Sequence, residues 1–318
     1  METTLNLSRL AKYFSDETAA RELLESMRWP NGPECPLCSQ TETVYRMLKL
    51  PTSTKPGRPG LLRCRACKKQ FTVTTGTVFE DSHIPISKWL LALHLLASSK
   101  KGMSAHQFHR MLGITYKSAW FMAHRLRYAM MEGPLAELMT GTVEMDETYV
   151  GARQKHGTRR GRPGPDSHKT PVVALVERGT GRVRAIPMPR VTSENLGAML
   201  AAHAEPSTEL QTDDFYAYRS VGEKQSRHGV VKHSANEYVS GNDHTNTVEG
   251  FFSLLKRGIN GVYHHVGRGH LNRYCDEFSF RYEHRKVSDG KRTALVVAGA
   301  EGKRLTYKQP ADAGTVTA

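Results

Sequence analysis

Thr142-Val143-Glu144-Met145-Asp146-Glu147-Thr148-Tyr149-Val150 alternates apolar and polar residues with the two-residue period of a strand. The alternation sets Val143 and Met145 on one face and Glu144, Asp146 and Thr148 on the other, so an acid stands in mid-strand. Two further stretches belong with it. Glu209-Leu-Gln-Thr-Asp-Asp reads as a short strand ending at Asp213 and Asp214, and a side chain at a strand end projects into a crevice. Thr245 to Arg257 reads as a helix. At ~100° per residue, Asn246, Glu249, Ser253, Lys256 and Arg257 share one arc, and Val248, Phe251, Phe252, Leu254 and Leu255 share the opposite one.

These acids suit one kind of chemistry. Mg²⁺ is a hard cation that prefers carboxylate oxygens. Two such ions ~3.5–4 Å apart stabilise the attacking and leaving oxygens of a phosphodiester displacement. Two aspartates from neighbouring strands and one helix residue could hold the pair. Lys256, two turns beyond Glu249, then lies toward a DNA phosphate. Any one acid alone reads as a solvated surface charge, so the arrangement carries the reading. Around it, Pro171 to Glu177 and Arg182 to Met188 form a hairpin, and helices follow from Ser193 to Ala202 and from Leu271 to Tyr282. Three strands, a helix, a strand and later helices is the order of the α/β ribonuclease H-like fold, by analogy at the level of fold. The polar, Ala/Gly-rich chain after Gly290 reads as a loose tail.

Upstream, Cys35-Pro-Leu-Cys38 and Cys64-Arg-Ala-Cys67 are two C-x-x-C knuckles. Their spacing fits a tetrahedral zinc site with four protein ligands and no open position, hence a structural zinc. Redox dithiols are the alternative, and no βαβ pattern surrounds either pair. Cys275 is left over for burial. Ser15 is a candidate cap for a helix to about Trp29, and Gln70 to Phe79 reads as the strand closing a zinc ribbon. Helices over Ser87–Ser98, from Ser104 to Gly113 and over Tyr116–Met131 follow, the last bearing Lys117, His124, Arg125 and Arg127. A glycine turn between the last two resembles a helix-turn-helix, with a plain three-helix bundle as the alternative. In the helix-turn-helix reading, Lys117, Arg125 and Arg127 contact DNA, and Arg125→Ala weakens that binding.

The 318 residues carry 45 Lys and Arg against 31 Asp and Glu, a net charge of +14 that points to nucleic acid as partner. The apolar run Trp89–Ala97 is too short for a membrane span, and Met1–Leu10 lacks the pattern of a signal peptide. A soluble, cytoplasmic, nucleoid-associated protein is expected. Arg160-Gly161-Arg162-Pro163 is similar to an AT-hook core, with a solvated basic loop as the bland reading.

Taken together, the motifs resemble the zinc-ribbon insertion-sequence transposases with an ISXO-like DDE domain. Phe71-Thr-Val-Thr-Thr-Gly-Thr, Lys101-Gly-Met-Ser-Ala, the Asp146 segment, Thr212-Asp213 with Tyr218, and His244-Thr-Asn-Thr-Val-Glu-Gly with Lys256 carry the resemblance. It implies Asp146 and Asp213 as the first two catalytic residues and Asn246 or Glu249 as the third, with Mg²⁺ or Mn²⁺ as catalytic cofactor. It also implies cleavage at terminal inverted repeats followed by strand transfer to target DNA. Two DNA ends must meet, so a homodimer or higher assembly is expected from mechanism. The domains expected are an N-terminal helix over 1–30, a zinc ribbon over 31–80, a helix-turn-helix bundle over 81–133, the catalytic domain over 141–289 and the tail over 290–318. The alternatives are a non-catalytic DNA-binding regulator and a structure-specific nuclease of the same fold.

Overall fold

The computed structural model describes residues 6–13, 15–47, 59–131, 137–151, 169–232, 239 and 241–307. Arg160 and Arg162, with the rest of the AT-hook-like tract, lie outside the described residues. The chain forms two compact units, one over residues 1–131 and 287–310, the other over 132–286.

In the first unit a short helix α1 (Leu7–Leu10) precedes α2 (Glu17–Arg28). Asp16, not Ser15, caps α2, its carboxylate accepting from the amides of Thr18 and Ala19. Strands β1 (Val44–Arg46), β2 (Leu62–Cys64) and β3 (Gln70–Phe71) form a small antiparallel sheet in sequence order. The strand expected from Gln70 to Phe79 stops at Phe71. Its threonines bond the backbone locally: the Thr72 amide donates to Thr75 Oγ1 at 3.0 Å and Thr77 Oγ1 donates to the Thr74 carbonyl at 2.7 Å. Hydroxyls used this way favour turns over a ladder.

Three helices follow, α3 (Ile86–Ser98), α4 (Ala105–Leu112) and α5 (Tyr116–Met130). Gly113 closes α4 in the left-handed region at φ 58°, and the Thr115 side chain caps α5. The expected loose tail instead supplies a helix to this unit.

The second unit is built on a mixed sheet of five strands: β4 (Thr142–Val150), β5 (Thr170–Glu177), β6 (Val183–Pro187), β7 (Glu209–Asp213) and β8 (Arg227–Val231), in the order β6-β5-β4-β7-β8. β4 to β6 are antiparallel, whereas β4, β7 and β8 run parallel. Val143 and Met145 pack with α6 (Ser193–His203) and with Ala217, Tyr218 and Val221 on one face; the last of these belongs to a short helix α7 (Arg219–Gly222). Val172, Ala174 and Val176 of β5 pack on the other face with α8 (Asn246–Gly258) and α9 (Leu271–Glu283). Helices therefore cover both faces, and the eight-residue run Thr170–Glu177 is buried almost throughout, as a central strand requires.

The last helix, α10 (Asp289–Ala298), belongs to the first unit. It is capped by Ser288 and packs on α3, α2 and α5. Just beyond it, Arg28 forms a two-point ion pair with Glu301, both contacts at 2.6 Å. The order found at the end of the chain is thus a helix and its docking contacts, where low hydrophobicity had suggested none.

Candidate active site

The β4 alternation read from the sequence holds in the structure, and the sheet register brings the second acid to it. β4 and β7 pair in parallel over Thr142↔Glu209, Val143↔Leu210 and Glu144↔Gln211. Continued two residues, that register sets Asp213 level with Asp146. Asp213 is oriented by its own turn, its Oδ1 accepting from the Phe215 amide at 3.1 Å. α8 covers the same face as Asp146, burying Val248, Phe251, Phe252 and Leu255. Asn246, Glu249 and Lys256 are left on its exposed side.

Electrostatics ties the acids together. Burial, then the charges of Glu147, Asp213 and Glu249, pushes the Asp146 carboxyl up to about 8, against a single opposing hydrogen bond from the Glu147 amide. Glu249 is therefore close enough to Asp146 to act on its ionisation. Thr245, itself buried, donates its hydroxyl to Glu249 Oε1 at 3.2 Å. Hard carboxylate oxygens that repel one another at a crevice are the donor set a divalent cation such as Mg²⁺ or Mn²⁺ satisfies. Asp146, Asp213 and Glu249 have that donor chemistry, although among the described residues only the four cysteines bring three or more ligand atoms together tightly enough to share one ion.

Sequence reasoning placed Glu144 beside Asp146 and gave it no part to play. In the structure it is fully buried, and its two oxygens take four short hydrogen bonds. Oε1 accepts from Arg178 Nε at 2.6 Å and Thr247 Oγ1 at 2.7 Å, and Oε2 from the amides of Thr247 at 2.7 Å and Val248 at 2.9 Å. The carboxylate thus caps the first turn of α8 from a neighbouring strand. Arg178 also donates to the carbonyls of Asn242 at 2.7 Å and His244 at 2.6 Å. The alternation put Glu144 on the polar face of β4, and its burial comes only from the helices that cover that face.

In the first unit the four expected cysteines converge. Their sulfurs all lie within 4.8 Å of one another, with Cys35–Cys67 and Cys38–Cys64 each at 3.7 Å. A disulfide needs ~2.05 Å. Four thiolates on a tetrahedral ion at ~2.3 Å stand ~3.8 Å apart, so the set fits structural zinc. The Thr43 hydroxyl lies 3.4 Å from Cys64 Sγ. Cys275 is buried in the second unit, as expected.

The cations expected on α5 divide. Lys117 is exposed, its Nζ 4.6 Å from the ring of Tyr307. Arg125 and Arg127 are buried, Arg125 donating to the carbonyls of Leu305 at 3.1 Å and Glu80 at 2.9 Å. Burial keeps both guanidinium groups away from an approaching phosphate, so the expected DNA contact by these two is corrected to a packing role. No described helix is long and apolar enough to cross a membrane.

Residues 138–283 match the ISXO2-like transposase domain and residues 15–70 match the transposase zinc-ribbon domain. A protein of Halobacterium salinarum, described as an uncharacterized protein in transposable element ISH50, is 32% identical over 284 residues, covering 86% of this chain and 92% of that one. Among solved structures, a simian T-cell lymphotropic virus intasome in complex with PP2A regulatory subunit B56 gamma aligns at 14% identity over 60% of this chain and 65% of that one. Its TM-score of 0.29 is too slight to carry an argument. The two domain matches fall on the segments that hold the cysteines and the acids, and with a relative from a mobile element along most of the chain they establish that it belongs to the zinc-ribbon insertion-sequence transposases with an ISXO2-like domain.

Proposed function

We propose that this chain is a DDE-type transposase that binds the terminal inverted repeats of its element and catalyses metal-dependent end cleavage and strand transfer. The observation that carries the reading is the register that sets Asp213 level with Asp146 on the sheet face that α8 covers. The strand order β6-β5-β4-β7-β8, with three antiparallel strands followed by two parallel ones, supports a ribonuclease H-like domain.

In this reading Asp146, Asp213 and a residue of α8 hold Mg²⁺ or Mn²⁺. Either Glu249, whose carboxylate charge bears on Asp146, or Asn246, with its neutral amide oxygen, serves as the third residue. The ions, when bound, activate the attacking oxygen and stabilise the leaving one. Lys256, about 10 Å along α8 from Glu249, binds a phosphate of the DNA. Water displaces a 3′ oxygen at the element end, and that freed 3′ hydroxyl then attacks a target phosphodiester, without a covalent protein intermediate. The pair α4 and α5 across Gly113, with Lys117 outward, supports a helix-turn-helix for end recognition. Arg160 and Arg162 remain candidates for the minor groove, and a homodimer on paired ends follows from the two-ended reaction. Such a protein works on chromosomal DNA, hence a nucleoid location.

The test uses purified protein and labelled DNA from the borders of its own gene, with Mg²⁺ or Mn²⁺. Cutting at one defined border position and joining to target DNA are expected, with loss by at least 10³-fold in Asp213→Ala. Border binding without cutting in either metal overturns the proposal and leaves a DNA-binding regulator. Cutting without joining or border preference leaves a nuclease.

A further inference from the structure

Asp146 has an acid two residues before it and another immediately after it, and each is bonded to a different part of the site. We propose that Glu144 and Glu147 are positioning residues: from one strand, they fasten the two elements that carry the other metal-binding acids. The inference rests on the transposase reading above and concerns how its metal site is held.

Glu144 is not free to bind a metal. A carboxylate has about four lone-pair sites, and Arg178, the Thr247 hydroxyl and the amides of Thr247 and Val248 fill four at 2.6–2.9 Å. Its partners lie in the first turn of α8, one to two residues from Asn246 and Glu249. Glu144 and Asp146 share one face of β4, so this latch fixes the distance from Asp146 to the polar side of α8. Glu147 points to the opposite face. Its Oε2 accepts from the hydroxyl of Tyr218 at 2.6 Å, and the Tyr218 ring is fully buried. Tyr218 ends a 3₁₀ turn, Tyr216–Tyr218, that begins directly after Phe215, whose amide holds Asp213. The Ala217 carbonyl in that turn accepts from Ser193 Oγ at 2.9 Å, anchoring it to α6 as well. The second latch therefore fixes Asp213 relative to β4. Three mutually repelling carboxylates are held at set positions because their supports hang from the strand that carries the first of them. Partners behind metal ligands of this kind typically alter metal affinity by 10–100-fold when removed.

Two mild substitutions test this in the full-length, zinc-loaded protein. Tyr218→Phe removes only the hydroxyl of the second latch, and Thr247→Val removes one donor of the first while keeping its amide. Mn²⁺ binding is read directly from the electron spin resonance of the free ion, in the absence of DNA, beside thermal unfolding without added Mn²⁺. The expected result is Mn²⁺ affinity weakened about 10-fold in each variant, with unfolding midpoints within a few degrees of wild type. Glu144→Asp, which keeps the charge on a shorter arm, is expected to bind Mn²⁺ better than Glu144→Ala. Wild-type affinity in both Tyr218→Phe and Thr247→Val, with binding lost in Asp213→Ala, overturns the latches and leaves the metal site standing. Unchanged Mn²⁺ binding in Asp213→Ala overturns the metal-site reading itself.

Discussion

Arg125 keeps 7% of its surface exposed, and its guanidinium lies 4.7 Å from the ring of Phe121 as well as on two backbone carbonyls. Arg125→Ala leaves those carbonyls of Glu80 and Leu305 buried and unmet, and is expected to destabilise the first unit by about 2–4 kcal/mol. Urea unfolding measures it. Any loss of DNA affinity in that variant should then track the unfolded fraction and leave the salt slope of the folded protein unchanged. Glu177 is a second buried charge with a measurable signature. Two-point pairing with Arg182, the Thr140 amide and the Thr180 hydroxyl hold its carboxyl down at about 2, against burial. The folded value lies below the ordinary 4.5. Its contribution is thus complete above pH ~4.5 and is lost as the pH falls toward 2. Glu177→Gln should flatten the acid limb of a stability–pH curve; an unchanged limb would refute the assignment. At this scale the sequence marked the four cysteines that converge in the structure, by their spacing, and the level pairing of Asp146 with Asp213, by strand position. It did not disclose whether a basic residue on a helix faces in or out, since long side chains with apolar stems occur on both sides.

Elements were legible where apolar periodicity was strong. The hairpin of β5 and β6, the helix α8 and its apolar arc all stand where the pattern put them. α10 was missed for a physical reason. Its buried face is Gly290, Thr293, Val296 and Val297, which keeps helical spacing but fills half its positions with residues that read as polar or as breakers. Thr293 earns burial through a hydrogen bond with His94 Nδ1 at 2.9 Å, a pairing no local pattern reveals. β8 was missed because Arg227-His-Gly-Val-Val shows little alternation, and only pairing with β7 makes it a strand. The zinc ribbon carries its own prediction. Its strands are two and three residues long and could not persist without the ion. Removing zinc with a strong chelator, or substituting Cys64→Ser, should unfold residues 35–71. Hydrogen exchange of the Cys64 amide, which donates to Lys69 O at 3.0 Å, is the local readout.

For the molecule as a whole, the charge of +14 forecasts DNA binding that weakens steeply with salt. Lys256→Ala should lower the slope of log affinity against log salt by about 1, uniformly across sequences. An unchanged slope would remove Lys256 from the phosphate contacts. Composition announced this polyanionic partner at once. It could not announce that the chain leaves its first unit at residue 131 and re-enters it at 287, because contacts between distant segments leave no trace in local pattern.

That return of the chain has a consequence for synthesis. The ribosome finishes the described residues of the sheet-bearing unit before it makes α10, the helix that lies on α2, α3 and α5. The unit that carries the acids is therefore made while the unit that carries the four cysteines still waits for its closing helix. A message that ends early, near residue 286, yields the acids without the helix that closes the first unit. The first unit can close only once α10 has been made, so its folding waits on synthesis of the whole intervening unit.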